Sequence, residues 1–239
     1  APGLVPLGYK SRIDDSLQPY GLVVPAGYRP GDGKQYRLDL WLHGRDEKLT
    51  QLRFLHQRMK SAGEFTPPDT IVLHLYGRFC NAFKFAGATD VFEAMADVKS
   101  RYAIDENRIL LRGFSMGGAG AWQLGAHHAG LWAAVAPGAG FVETERYANV
   151  AKDPVPPSPW QRLLWKQTNA TDYALNFFNT SVIAYSGELD KQKQAADFMA
   201  EAMKKEGMDL VHLIGPKTEH KYEPETKKEL VRRLDALAA

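Results

Sequence analysis

The sequence predicts an α/β protein in which a mostly parallel central sheet carries helices on both faces. Three observations predict it. Short runs rich in β-branched and aromatic residues alternate with amphipathic segments of helical length. One of those runs, TIVLHLYG at 70–77, is apolar almost throughout, as in a strand covered on both faces. A third, RILLRGFSMGGAGAW at 108–122, passes from an apolar strand pattern through a serine set between glycines straight into a helical pattern.

The elements follow in order. YGLVVPAGY (20–28) and YRLDLWLHG (36–44) read as strands bounded by Gly and Pro. TQLRFLHQRMKSAG (50–63) has Leu52, Leu55 and Met59 at helical spacing and stops on glycine. After the apolar strand at 70–77, TDVFEAMADVKSRY (89–102) opens with a Thr or Asp cap and sets Val91, Met95 and Val98 on one stripe. RILLRGFS (108–115) is a strand, MGGAGAWQLGAHHAG (116–130) a helix and LWAAVAPGAG (131–140) a strand. TSVIAYSGE (180–188) and DLVHLIG (209–215) continue the strands, and QAADFMAEAMKKEG (194–207) and ETKKELVRRLDALA (225–238) the helices. Strands joined through helices run parallel.

Residues 141–179 break the rhythm. DPVPPSPW puts four prolines into six residues, which suits neither a helix nor a central strand. Trp160, Trp165, Tyr173, Phe177 and Phe178 are too apolar for a solvated linker. The segment is expected to be a packed excursion or a lid over a pocket, with Trp160 a candidate substrate contact.

Composition bounds the function. The chain has 239 residues, 44% hydrophobic and 24% charged, enough for one sizeable core, and 1–239 is expected to be a single domain. Its 30 basic and 28 acidic residues give a net charge of +2 without a basic run, so nucleic acid is not an expected partner. The one cysteine, Cys80, excludes an internal disulfide. No apolar run approaches the roughly 20 residues of a membrane span, and no membrane partner is expected. The opening APGLVPLGYK lacks the layout of a signal peptide, so a secreted or periplasmic origin would require that a leader had been removed. The histidines are scattered without the spacing of a metal site, and no cofactor is expected.

The chemistry starts at Gly113-Phe114-Ser115-Met116-Gly117, a G-x-S-x-G sequence placed after a strand and before a helix. A serine on such a turn presents its hydroxyl at a helix N-terminus, where the free N–H groups favour developing negative charge. The hydroxyl needs a base, and the base an orienting acid, in the chain order Ser, Asp or Glu, His. His127 and His128 lie in the helix after the turn and cannot fold back on its start. His212 sits in an apolar strand and reads as packed there. His220, in GPKTEHKYEP, falls in a polar loop just beyond the last strand and is the candidate base. Glu188 and Asp190, in YSGELDKQKQ, both lie just past a strand; Asp190 reaches further into the loop and is preferred, and it could also cap the helix that follows. Two N–H donors must meet the oxyanion. Met116 supplies one, and Gly44 or Arg45, in LWLHGRDE, the other. His43 precedes the serine and reads as structural. LYGRFCNAFKFAGATD (75–90) follows a strand at the same edge, and its Tyr76, Phe79, Arg78 and Asn81 mix flat apolar faces with polar anchors suited to a ring-shaped substrate.

LWLHG, GFSMGG, YSGELD and TEHKYEP, in that order at strand ends, resemble the α/β-hydrolase superfamily from about residue 36 to the C-terminus. Within it, ENRILLRGFSMGGAGAWQLGAHHAGLWAAVAPGAG is similar to prolyl oligopeptidase-like catalytic domains and to bacterial carbohydrate esterases of the feruloyl and acetyl xylan type. The resemblance implies Ser115 as nucleophile, Asp190 as acid, His220 as base, and Met116 with Gly44 or Arg45 as oxyanion donors. Two departures weigh against a peptidase: no propeller screens the site, and Arg45 replaces the second glycine of a His-Gly-Gly loop. The expected activity is therefore a serine esterase acting on small-molecule or polysaccharide-linked esters. A prolyl oligopeptidase-like peptidase and a non-catalytic binding module are the alternatives.

Overall fold

The computed structural model describes residues 2–239. Its centre is an eight-stranded sheet in the order β1-β2-β4-β3-β5-β6-β7-β8. In chain order the first elements are β1 (Gly3–Lys10), β2 (Leu17–Val24), β3 (Tyr36–Leu42), α1 (Gln51–Arg58), β4 (Thr70–Leu75) and α2 (Ala86–Arg101). β5 (Ile104–Phe114), α3 (Met116–His127) and β6 (Ala134–Gly138) follow. The excursion then holds α4 (Thr144–Tyr147), α5 (Pro159–Lys166) and a 3-10 segment (Thr171–Asn179). β7 (Ser181–Gly187), α6 (Gln194–Lys205), β8 (Val211–Gly215) and α7 (Pro224–Leu237) complete the chain. β1 with β2 and β2 with β4 pair antiparallel, and the other neighbours are parallel. Among the described residues no helix is long and apolar enough to cross a membrane.

Alternation along the strands divides the core. Leu38, Leu40, Leu42, Leu73 and Leu111 pack with Val91, Val98, Trp122 and Met199 of α2, α3 and α6, whereas Leu110, Ala134, Ala136 and Ile183 pack with Leu230 and Leu234 of α7. All six residues of β4 are buried, in keeping with its almost wholly apolar run. Local signals set the helix starts. Thr50 accepts the Arg53 N–H to cap α1, and Ser158 and Gln161 close a capping box on α5, with Pro159 at its first position.

One expected cap is corrected. α2 begins at Ala86, so Thr89 and Asp90 lie inside it. The Asp90 carboxylate turns into the core instead, where it accepts the Gly77 N–H at 2.7 Å and the Tyr9 hydroxyl. Burial raises its pKa. β1 runs where no strand was expected, along the sheet edge, a position that tolerates Pro6.

A buried ionic cluster lies under β3 and β5. Asp39 accepts from Arg37 Nε at 2.6 Å and from Arg112 Nη1 at 3.0 Å, while Arg37 Nη1 reaches Asp235 on α7 at 2.7 Å. The Phe65 ring lies 3.7 Å from the Arg112 guanidinium. Removing one partner strands a buried charge. Asp39→Ala is therefore expected to lower unfolding free energy by about 3–5 kcal/mol in denaturant melts, and a near-neutral result would show that the cluster is not stabilising.

His74 on β4 is buried on the same face. Its Nδ1 accepts from Arg58 Nη1 at 2.9 Å and its Nε2–H donates to Ala62 O at 3.1 Å. Burial first, then the Arg58 charge, pushes its pKa down to about 3 from 6.5. The unfolded chain takes up this proton from pH 6.5 downward and the folded chain does not until about 3, so the stabilisation is complete above the upper value and is lost as the pH falls. Melts should show a slope contribution of about 1.4 kcal/mol per pH unit in that window. His74→Gln should remove it, and an unchanged acid limb would contradict the assignment.

Candidate active site

The turn from β5 into α3 holds Ser115 at φ 59°, ψ −119°, a conformation that side chains other than glycine seldom adopt. The surrounding backbone imposes it. Ser115 N–H donates to Gly138 O at 2.9 Å, and Ser115 O accepts from Ala119 N at 3.0 Å. The flanking glycines are required by close approach. A Cβ on Gly117 would lie 1.9 Å from Leu42 O, and one on Gly113 would lie 2.2 Å from Gly117 O.

His220 stands in the loop between β8 and α7. Its Nδ1 lies 2.7 Å from Asp190 Oδ2, and its ring packs 4.8 Å from that of Phe114, the residue before Ser115. The Asp190 side chain is 3% exposed and that of His220 39%. Asp190 Oδ1 accepts the Gln192 N–H at 2.8 Å, so the carboxylate also caps the 3-10 turn that leads into α6. With Nδ1–H held by a carboxylate, Nε2 is left as the basic nitrogen. Glu188 is exposed and accepts the Lys217 N–H at 2.7 Å, away from the imidazole.

The two loops are fastened to each other by backbone and by Tyr185. Leu189 N–H donates to Thr218 O at 2.9 Å and Glu188 N–H to Gly215 O at 2.9 Å. Gly187 admits the crossing, since a Cβ there would lie 2.2 Å from both Thr218 O and Glu219 O. Tyr185 OH donates to Lys221 O at 2.8 Å and accepts from Glu223 N at 2.7 Å. Tyr222 packs between Tyr185 and Phe114. Sequence reading passed over Tyr185 and Gly187 as positioning residues; only the YSG run immediately before Glu188 marked the place.

Gly44 lies against the serine, with a Cβ built on it 3.7 Å from Ser115 Cβ. Met116 is the first residue of α3, where the N–H groups have no partner within the helix. The Arg45 side chain points to solvent and pairs with Glu47. His43 braces this loop: its Nδ1 faces Gly44 O at 2.7 Å and its Nε2 faces Tyr76 O at 3.0 Å, with Phe83 against the ring.

The expected substrate contacts are redistributed. Tyr76 is buried and its hydroxyl donates to Leu49 O at 3.2 Å. Arg78 holds Asp14 with two bonds, at 2.9 and 3.2 Å. Asn81 donates to Gly77 O and accepts from Phe83 N, both at 2.9 Å. In the free protein these bonds run to the chain itself, and Arg78 Nε alone among the polar groups of the three is buried without a partner. Their work is to hold a loop in which Arg78, Phe79, Ala82, Phe83 and Phe85 all have positive φ. Phe79 and Trp160 stay exposed, at 44% and 75%. Lys84, unremarked in the sequence, ties this loop to the excursion through Thr168 Oγ1 at 3.1 Å.

A strained serine at the carboxyl edge of a mostly parallel sheet, beside a histidine bonded to a buried aspartate, defines an α/β-hydrolase of the serine hydrolase class. Residues 78–239 match the model of the prolyl oligopeptidase family, and the chain belongs to that family. No protein of curated function matches the sequence directly. Solved structures share the fold at low identity. A provisional dipeptidyl aminopeptidase IV from Bacteroides ovatus superposes with a TM-score of 0.74 at 15% identity over 98% of this chain, which spans 36% of that one. A ferulic acid esterase gives 0.69 at 15% identity, covering 98% of this chain and 97% of its own. Fluorophosphonate-binding serine hydrolase F of Staphylococcus aureus, in a substrate-bound state, gives 0.71 at 11% identity over the full length of both.

Proposed function

We propose that the protein hydrolyses carboxylic esters through an acyl-enzyme on Ser115. The observation that carries this reading is the 2.7 Å bond from His220 Nδ1 to the buried Asp190, set beside the elbow that bears Ser115. Asp190 fixes the tautomer, and His220 Nε2 takes the Ser115 hydroxyl proton as Oγ attacks the ester carbonyl. The N–H of Met116 and that of Gly44 or Arg45 receive the oxyanion. On collapse the C–O bond to the alcohol breaks and His220 returns the proton to the departing oxygen. Water then attacks the acyl-enzyme, again losing a proton to His220, and Ser115 leaves as the free hydroxyl while the acid is released.

For the substrate we propose phenolic or carbohydrate esters of the feruloyl or acetyl type. The exposed Phe79 ring on the strained 77–85 loop and the exposed Trp160 on the excursion support it, as flat faces on which a ring can stack. The match with a ferulic acid esterase along almost the whole of that protein is consistent with it. A peptidase reading draws on family membership and uses the same three side chains. Turnover of methyl ferulate and aryl acetates against proline-containing peptide amides separates the two, and faster cleavage of the amides would reverse the assignment.

Ser115→Ala should lower kcat on an aryl acetate by about 10⁴-fold or more with the melting curve unchanged. Asp190→Asn should cost about 10⁴-fold, whereas Glu188→Gln should leave kcat nearly unchanged. A larger loss for Glu188→Gln would move the acid to that residue.

A further inference from the structure

A cavity of about 360 Å³ lies between α1, the chain that follows it and the ends of β3 and β4. Trp41, Leu49 and Phe54 form apolar walls, and Gln57, Arg58 and Ser61 give it a polar end. The group that stands out there is Arg58. Its Nη1 donates to His74 Nδ1, and no carboxylate pairs with it among the described residues. Burial, unopposed by a nearby negative charge, lowers its pKa. The remaining donors of its fork have no protein acceptor. The two fully buried arginines, Arg37 and Arg112, both sit on Asp39.

The slot is built for this arginine. A Cβ on Gly21 would lie 2.6 Å from Arg58 Cγ, and one on Gly63 would lie 2.4 Å from His74 Cε1 and 3.3 Å from Arg58 Nη1. Two glycines thus make room for an arginine and a histidine that do not neutralise each other. His74 stays neutral across the physiological range, since burial and the Arg58 charge hold it near 3. The acidic group bordering the cavity, Glu64, is bonded to Lys227 Nζ. The result is a mixed pocket in which Trp41, Leu49 and Phe54 face a polar end holding one cation that no carboxylate pairs.

We infer that this cavity binds a small organic carboxylate, with the acid group on the Arg58 fork and its apolar body between Trp41, Leu49 and Phe54. A guanidinium takes a carboxylate through two parallel bonds, and the pairing restores the charge balance that the fold leaves open. The apolar walls favour an acid with a flat or short hydrocarbon body over a bare inorganic anion. His43 borders the cavity and holds the Gly44 loop, so the site adjoins the Ser115 centre without sharing its reacting groups. It does not depend on which bond Ser115 cleaves.

Titration with benzoate, benzamide and inorganic phosphate tests it, read by calorimetry and by the Trp41 indole N–H signal in NMR. Benzoate should bind and shift Trp41, with benzamide and phosphate each at least about tenfold weaker. Arg58→Gln should weaken benzoate by at least about tenfold, and Arg58→Lys by less. Equal binding of benzoate and benzamide, phosphate as good as benzoate, an unmoved Trp41 signal or unchanged affinity in Arg58→Gln would each overturn the assignment. If Arg58→Gln does not fold, the benzoate to benzamide ratio and the Trp41 shift in the unaltered protein still decide.

Discussion

The arrangement depends on how closely three stretches of backbone approach at one end of the sheet. The start of α3 presses on the end of β3 at Gly117 and on the end of β6 at Gly118, where a Cβ would lie 2.1 Å from Gly138 O. No other residue type fits at those contacts. The approach forces the chain to reverse within a residue or two, and that reversal holds Ser115 at positive φ at the helix start. Strain of this kind costs on the order of 1–3 kcal/mol and persists only where the surroundings over-determine it. Here the surroundings are a parallel sheet buried on both faces and anchored from beneath by the Arg37, Asp39 and Arg112 cluster.

A second consequence of the same geometry is that each side chain of the proposed triad arrives from the carboxyl end of a different strand. The turn after β5 carries Ser115, and the loops after β7 and β8 carry Asp190 and His220. Those two loops are long enough to wander, yet backbone bonds from Glu188 and Leu189 and the double-ended Tyr185 hydroxyl join them. The imidazole is therefore positioned by a small framework whose members do no chemistry themselves. The loop proposed to receive the oxyanion is organised in a comparable way, with His43 set between Gly44 O and Tyr76 O.

Much of the fold was legible in the sequence because alternation and the G-x-S-x-G turn are local signals. The order of strands and helices from residue 36 onward follows directly from them. β1 was not legible, since GLVPLGYK carries glycine and proline and becomes a strand only by pairing with β2 at the edge. The choice between Glu188 and Asp190 rests on a turn: Asp190 N–H returns to Gly187 O at 3.2 Å and rolls the aspartate inward, while Lys217 draws Glu188 out. The internal contacts of the loop at 75–90 were not legible for a related reason. Tyr76 and Arg78 find partners at Leu49 and Asp14, far away in sequence, and spacing gives no hint of such pairings. Neither does it reveal Arg58, whose meaning lies in the partner it lacks.

The most direct measurement is site mapping of a fluorophosphonate probe by mass spectrometry, in the unaltered protein and in His220→Ala. The proposed mechanism predicts a single adduct on Ser115 in the unaltered protein and labelling slowed to near background in the variant, because the hydroxyl is nucleophilic only with its base. An adduct on another residue, or equal labelling of Ser115 without His220, would contradict it.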